Sequence, residues 1–115
     1  MKDILAKAEE LGRLIAASER FNELNAARQE VSGDKALQAD IQALNEHSRK
    51  LEELQRQTKP IEPEDKRQLR SMQEKVTRNP KMQRLARAEA DFSELMNRVS
   101  RAIHGQLAPP HEREA

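Results

Sequence analysis

The three histidines, His47, His104 and His111, are the residues of this chain best suited to binding a metal or moving a proton near neutral pH. A metal-binding pair on a helix needs its two ligands four residues apart. The residues four before and four after His47 are Ala43 and Leu51, and a serine lies four before His104. No metal site is therefore predicted, and we expect the histidines on the solvated surface.

Carboxylates, serines and glycines do not form a recognisable catalytic arrangement either. Glu9–Glu10 and Glu52–Glu53 are sequence neighbours, which point in different directions on a helix, whereas general acid–base catalysis needs groups that converge in a cleft. The serines lack the glycine-rich turn that exposes a nucleophile. Three glycines are too few for a phosphate-binding loop. The sequence predicts no enzymatic activity, no catalytic residue and no cofactor.

Composition limits the class of protein further. The 115 residues are 36% hydrophobic and 36% charged, against about 45–50% and about 25% in average globular domains. Only Phe21 and Phe92 are aromatic, and cysteine is absent, which excludes disulfides and cysteine-ligated metal centres. No apolar run approaches the ~20 residues of a membrane span. A cytoplasmic protein without membrane contact is expected.

The residues between Pro80 and His104 predict a long amphipathic helix. One stripe of it carries side chains three and four residues apart, the spacing that places them on one helix face. A helix of this length measures roughly 37 Å and needs a long partner, for which Asp34–Gln57 is the candidate. The members of the stripe are Met82, Leu85, Glu89, Phe92, Met96, Val99 and Ile103.

Turn and capping residues divide the rest of the chain into shorter helices. Helices are predicted over residues 3–17 and 19–31, with Ser18 as a cap or kink between them, and from Pro63 to the capping Asn79. The fold class is therefore all-α: an elongated antiparallel bundle of about five helices, two of them long, and oligomeric. Residues 1–104 are expected to form one domain and residues 105–115 a disordered tail.

The stripe of the last helix is the predicted surface for self-association or partner binding, although the same residues could form intrachain core. Glu89 leaves two interpretations open: a partly exposed acid at the edge of the seam, or a buried polar group that fixes helix register. The predicted seam residues are Leu85, Glu89, Phe92, Met96, Val99 and Ile103.

The charges are divided between the two halves of the chain. Residues 1–65 contain 10 Lys/Arg and 14 Asp/Glu, which gives −4, whereas residues 66–101 contain 10 and 4, which gives +6. The basic Lys66–Arg101 half indicates either docking against acidic helices or weak contact with an anion such as RNA. The alternative function is thus an RNA-associated protein. The candidate anion contacts are Arg84, Arg87, Arg98 and Arg101.

Several stretches occur in an order typical of one family: Ile4–Ala16, Ser18–Phe21, the long helix ending near Gln57, and Asn79-Pro80 followed by Leu85, Ala88-Glu89 and Leu95. In this order the chain, from Ile4 to about Ile103, resembles the YlbF/YmcA proteins, small all-helical bacterial regulators. The resemblance implies a non-enzymatic protein that self-associates and binds related helical subunits. It also implies a role in competence, sporulation and biofilm formation, linked to RNA processing by the membrane-anchored ribonuclease Y.

Some members of that family hold iron–sulfur clusters through cysteines, and the lack of cysteine here excludes that chemistry. Two assemblies remain open: a complex with related subunits in an RNA-processing assembly, or a homodimer or larger homo-oligomer of this chain.

Overall fold

The structure, a computed structural model, describes residues 1–109, and these form five α-helices without a β-strand. Helices account for 87% of the described residues. The prediction of an all-α fold with about five helices is confirmed, as is the prediction of two long ones, α3 with 22 residues and α5 with 28. The helices are α1 (Lys2–Ala16), α2 (Glu19–Gly33), α3 (Lys35–Arg56), α4 (Pro63–Thr77) and α5 (Pro80–Leu107).

Side-chain caps fix the helix boundaries where the sequence places them. Ser18 Oγ accepts a hydrogen bond from the Phe21 backbone N–H at 3.2 Å and donates one to the Ile15 carbonyl at 2.6 Å. Asn79 Oδ1 accepts from the Lys81 N–H at 2.9 Å. These bonds satisfy N–H and C=O groups that have no partner inside the helices. The Ser18 hydroxyl thereby connects α1 to α2, and the Asn79 side chain caps the start of α5.

The C-terminus of α3 is closed by backbone hydrogen bonds. Thr58 adopts a left-handed conformation with φ 55°, its N–H donates to the Gln55 carbonyl, and the Lys59 N–H donates to the Leu54 carbonyl. This pair of bonds is the Schellman motif, in which glycine usually holds the left-handed position. The turn redirects the chain into the proline-containing segment before α4.

The described chain forms two compact units. Unit 1 combines residues 1–26 with residues 86–109, and unit 2 comprises residues 27–85. Helices α2 and α5 contribute residues to both units, and the prediction of a single domain over residues 1–104 stays a prediction. The buried core side chains are Leu24 and Ala88 in unit 1, and Ala27, Val31, Leu37, Leu51 and Val76 in unit 2.

Within unit 2, α3 packs along α4 in antiparallel orientation. Lys75 near the end of α4 forms an ion pair with Asp40 near the start of α3, Nζ to Oδ1 at 3.3 Å. Towards the middle of α3, His47 contacts Asp65 near the start of α4. The sequence analysis predicted α5 as the long partner of α3, and this was wrong: the helix that packs along α3 is α4.

Helix α5 continues to Leu107, so residues 105–107, which the sequence analysis assigned to the tail, are helical. Residues 110–115, which include His111 and most of the predicted tail, lie outside the described residues.

Candidate interaction surface

Helix α1 presents its apolar residues to solvent. It is amphipathic, yet none of its residues is buried. Ile4 is 69% exposed and Leu14 70%, while Leu11 and Ile15 are half-buried. In most soluble proteins, the apolar face of such a helix is covered by a neighbouring element. The apolar face of α1 is therefore mostly uncovered in the single chain.

The second half of α5, in the same compact unit, is also open. Leu107 is 74% exposed, and Ile103 and Met96 are exposed to lesser degrees. Together with α1, unit 1 thus carries seven exposed large apolar side chains. We call them the exposed apolar set: Met1, Ile4, Leu5, Leu14, Met96, Ile103 and Leu107.

The structure divides the predicted seam of α5 between core and surface. Leu85, Phe92 and Val99 are half-buried, whereas Met96 and Ile103 are exposed. The Phe92 ring lies 5.6 Å from the Phe21 ring, centroid to centroid, at an interplanar angle of 49°. Phe92 therefore packs within the chain, whereas the exposed apolar members of the predicted seam, Met96 and Ile103, are available to a partner.

Glu89 is exposed. Of the two interpretations of this residue, the position at the edge of the seam matches the structure of the single chain. An exposed carboxylate keeps its hydration and has no need of a buried cationic partner.

Two of the four candidate anion-binding arginines already form ion pairs with carboxylates of the same chain. Arg84 Nη1 lies 2.8 Å from Glu30 Oε1, and Arg98 Nε lies 3.8 Å from Glu94 Oε1. Arg87 and Arg101 are exposed, and neither has an ion pair within residues 1–109. An anion would compete with carboxylates at the first two positions, which weakens the case for a continuous basic strip.

A polar junction of unit 2 is centred on Asp34. Its Oδ1 accepts a hydrogen bond from the Leu37 N–H at 3.0 Å, which caps α3, and its Oδ2 lies 3.0 Å from Lys81 Nζ. The Leu37 backbone hydrogen bond, and after it the bond from Lys81, lower the pKa of Asp34 below its ordinary value. One carboxylate thereby joins the start of α3 to the start of α5.

We expect this junction to lose its stabilising effect in acid. A carboxylate whose pKa is lowered by folding stabilises the native state above the unfolded pKa of about 3.9, and the effect disappears as pH falls through the lower folded value. At pH 7 the free energy of unfolding should decrease from wild type to Asp34→Asn, which keeps the cap but loses the charge, and again to Asp34→Ala. Urea unfolding at pH 7 and at acid pH measures these free energies. Between pH 4 and 2 the wild type and Asp34→Asn should converge, and a constant difference would refute the ion-pair contribution.

The histidines do not form a ligand group. Contrary to the expectation of a fully solvated surface residue, His47 is half-buried, and its Nε2 lies 3.1 Å from the Asp65 carbonyl oxygen, where it connects α3 to α4. His104 is exposed. Within residues 1–109 no three His, Asp or Glu side chains are placed to hold a metal ion.

The surface of unit 2 has two depressions. One, of about 310 Å³, follows a polar face of α3 that includes Gln42, Asn45 and Arg49. The other, of about 210 Å³, lies between α3 and α4 beside the Asp40–Lys75 ion pair. Neither is lined by a serine or a histidine, so neither holds a serine–histidine pair of the kind that activates a hydroxyl nucleophile.

Sequence reasoning missed the contribution of α1 to this surface. It predicted a helix over residues 3–17 without assigning the apolar residues of that helix to an interaction surface. The apolar stripe of the helix contains Ile4, Ala8, Leu11 and Ile15, and Leu5 and Leu14 widen it. The signal was present in the width of that stripe, because Leu5 and Leu14 lie on either side of its centre at 100° per residue. A single neighbouring helix covers a narrower arc than this.

None of the helices in residues 1–109 is long and apolar enough to span a lipid bilayer.

A family model described as control of competence regulator ComK, YlbF/YmcA, matches residues 4–108. No curated protein and no solved structure matches the chain significantly.

Proposed function

Because the chain belongs to the YlbF/YmcA family of competence regulators, we propose that it is a non-enzymatic regulatory or adaptor subunit. It acts by self-association and by binding other helical proteins, and it serves the control of RNA processing in the cytoplasm, as the resemblance implies. The family description names a regulator and no catalytic activity.

The observation that carries this proposal is the exposed apolar set of unit 1. Single exposed apolar residues are ordinary on protein surfaces, but extended groups of them are characteristic of interaction sites. Here seven large apolar side chains of one compact unit are more than one-third exposed, six of them on α1 and α5 and Met1 directly before α1. In contrast, none of the large apolar side chains of unit 2 is exposed. The contrast favours unit 1 as the part of the protein that binds partners.

Light scattering of matched variants tests this assignment. Ile103→Glu places a charge within the exposed apolar set and should reduce the mass of the assembly towards the 13.2 kDa of one chain. Ala90→Glu makes a similar change at an exposed position on the opposite face of α5 and should leave the mass unchanged. Equal effects of the two substitutions would exclude a specific interface at this surface.

The alternative, an RNA-associated protein, rests on Arg87 and Arg101 more than on the paired Arg84 and Arg98. We expect no salt-dependent retention of single-stranded RNA in filter binding, because stacking aromatics are scarce and two of the four arginines contact carboxylates. If retention falls steeply between 50 and about 200 mM salt, and Arg87→Ala with Arg101→Ala reduces it, the RNA function replaces the adaptor function.

A further inference from the structure

We propose that α1 is a folding arm, whose helix becomes stable only when a second copy of this chain covers its apolar face. The proposal rests on the proposed self-association and adds to it which element becomes ordered upon assembly, and against what partner.

Helix α1 lacks the contacts that would stabilise it within one chain. Helices of about 15 residues are marginal in water and depend on packing of their apolar face. In α1 that packing is restricted to the half-buried Leu11 and Ile15, and none of its residues is buried. Its ion pairs within residues 1–109 are local and exposed: Lys7 with Glu10, and the N-terminal amine with Asp3. Exposed pairs of this kind contribute little stability.

Gly12 weakens the helix further. Glycine is the least helix-favouring residue after proline, and its use inside a helix commonly reflects a close neighbour. A Cβ added at Gly12 would meet no atom within 4 Å, so packing inside one chain does not require a glycine there. Gly12 thus lowers the intrinsic stability of α1 without serving the packing of the single chain.

A second copy supplies an apolar surface of suitable size. Full burial of a Leu, Ile or Met side chain removes roughly 60–120 Å² from water, so the exposed apolar set offers on the order of 400 Å² per copy. A two-fold contact uses the same surface on both copies. Because apolar atoms make up about 56–65% of an interface, the total would be roughly 1,200–1,400 Å², within the range of stable complexes.

Electrostatics do not oppose the pairing of two copies. In unit 1, residues 1–26 and 86–109 contain seven Lys/Arg and eight Asp/Glu, which gives a net charge of −1. Two nearly neutral surfaces repel each other weakly, so burial of the apolar side chains can determine association.

Hydrogen exchange at a series of protein concentrations tests the proposal on the full chain. In dilute solution the α1 amides should exchange almost as fast as in an unfolded peptide, while the amides of Leu24 and Leu37 in the core stay protected. At a total chain concentration 100 times the dissociation constant of the dimer, roughly 7% of the chains remain monomeric, so α1 protection should rise about 15-fold, in parallel with the mass measured on the same samples.

Two glutamate substitutions in α1 provide the matched comparison. Leu14→Glu, within the exposed apolar set, should abolish both the mass increase and the gain in α1 protection. Ala6→Glu, at an exposed position opposite the apolar stripe, should abolish neither. Equal losses in the two variants would overturn the assignment of this face to the contact.

Two further outcomes separate this proposal from the proposed function. If the mass rises with concentration while α1 protection stays constant, self-association holds and the folding arm is refuted. If the mass equals 13.2 kDa at every concentration, self-association itself fails, and the folding arm fails with it.

Discussion

Replacing Leu37 with alanine is expected to lower the free energy of unfolding by about 2–5 kcal/mol. Leu37 is 2% exposed, in the first turn of α3. Its removal eliminates buried apolar surface and leaves a cavity that its neighbours fill only in part. Since domains of this size are stable by about 5–15 kcal/mol, the change is a large fraction of the total, and urea unfolding measures it.

Leu14→Ala makes the same chemical change at a side chain that is 70% exposed. At concentrations where the chain is monomeric, it should change the free energy of unfolding by less than about 0.5 kcal/mol. It should instead weaken association, which light scattering detects. If Leu14→Ala destabilised the monomer as much as Leu37→Ala, the division into core and interface would be wrong.

The second large effect is expected at the aromatic pair of unit 1. Phe92→Ala should lower the free energy of unfolding by about 3 kcal/mol, the lower end of the range for phenylalanine, because Phe92 is half-buried. The sequence analysis placed Phe92 in the oligomer seam, but its ring contacts Phe21 of the same chain. The loss should therefore be present in the monomer and independent of protein concentration.

A double-mutant cycle measures the contact itself. Phe21→Ala and Phe92→Ala should together cost less than the sum of their separate effects by about 0.5–1.5 kcal/mol, the coupling expected of two aromatic rings. Additive effects would show that the rings do not stabilise each other. If Phe92→Ala lowered the free energy of unfolding only at high protein concentration, Phe92 would be an interface residue.

The local structure could be predicted from the sequence because short-range chemistry determines it. Pro63 and Asn79 mark the ends of α4, and Asp34 begins α3, as side-chain and proline geometry require. The last residues of α5 were missed because the stretch that begins at Gly105 was assigned to the tail. Glycine ends a helix when the backbone turns left-handed, and here it does not.

The packing of helices against each other could not be predicted in the same way. A helical stripe shows that a face is apolar, but not which of several apolar faces covers it. Length matching suggested α5 as the partner of α3, yet the short turn after Thr58 returns α4 onto α3 first. For the same reason Phe92 and Met96, on one stripe, could not be separated into a core residue and an exposed one.

The central claim, that the exposed apolar set is covered by a second copy, is tested most directly by sedimentation equilibrium of the unmodified chain over a wide concentration range. We predict a reversible rise from 13.2 kDa to at least twice that mass, and no such rise for the Leu14→Glu, Ile103→Glu double variant. A mass of one chain at every concentration, or an assembly that the double variant leaves intact, would contradict it.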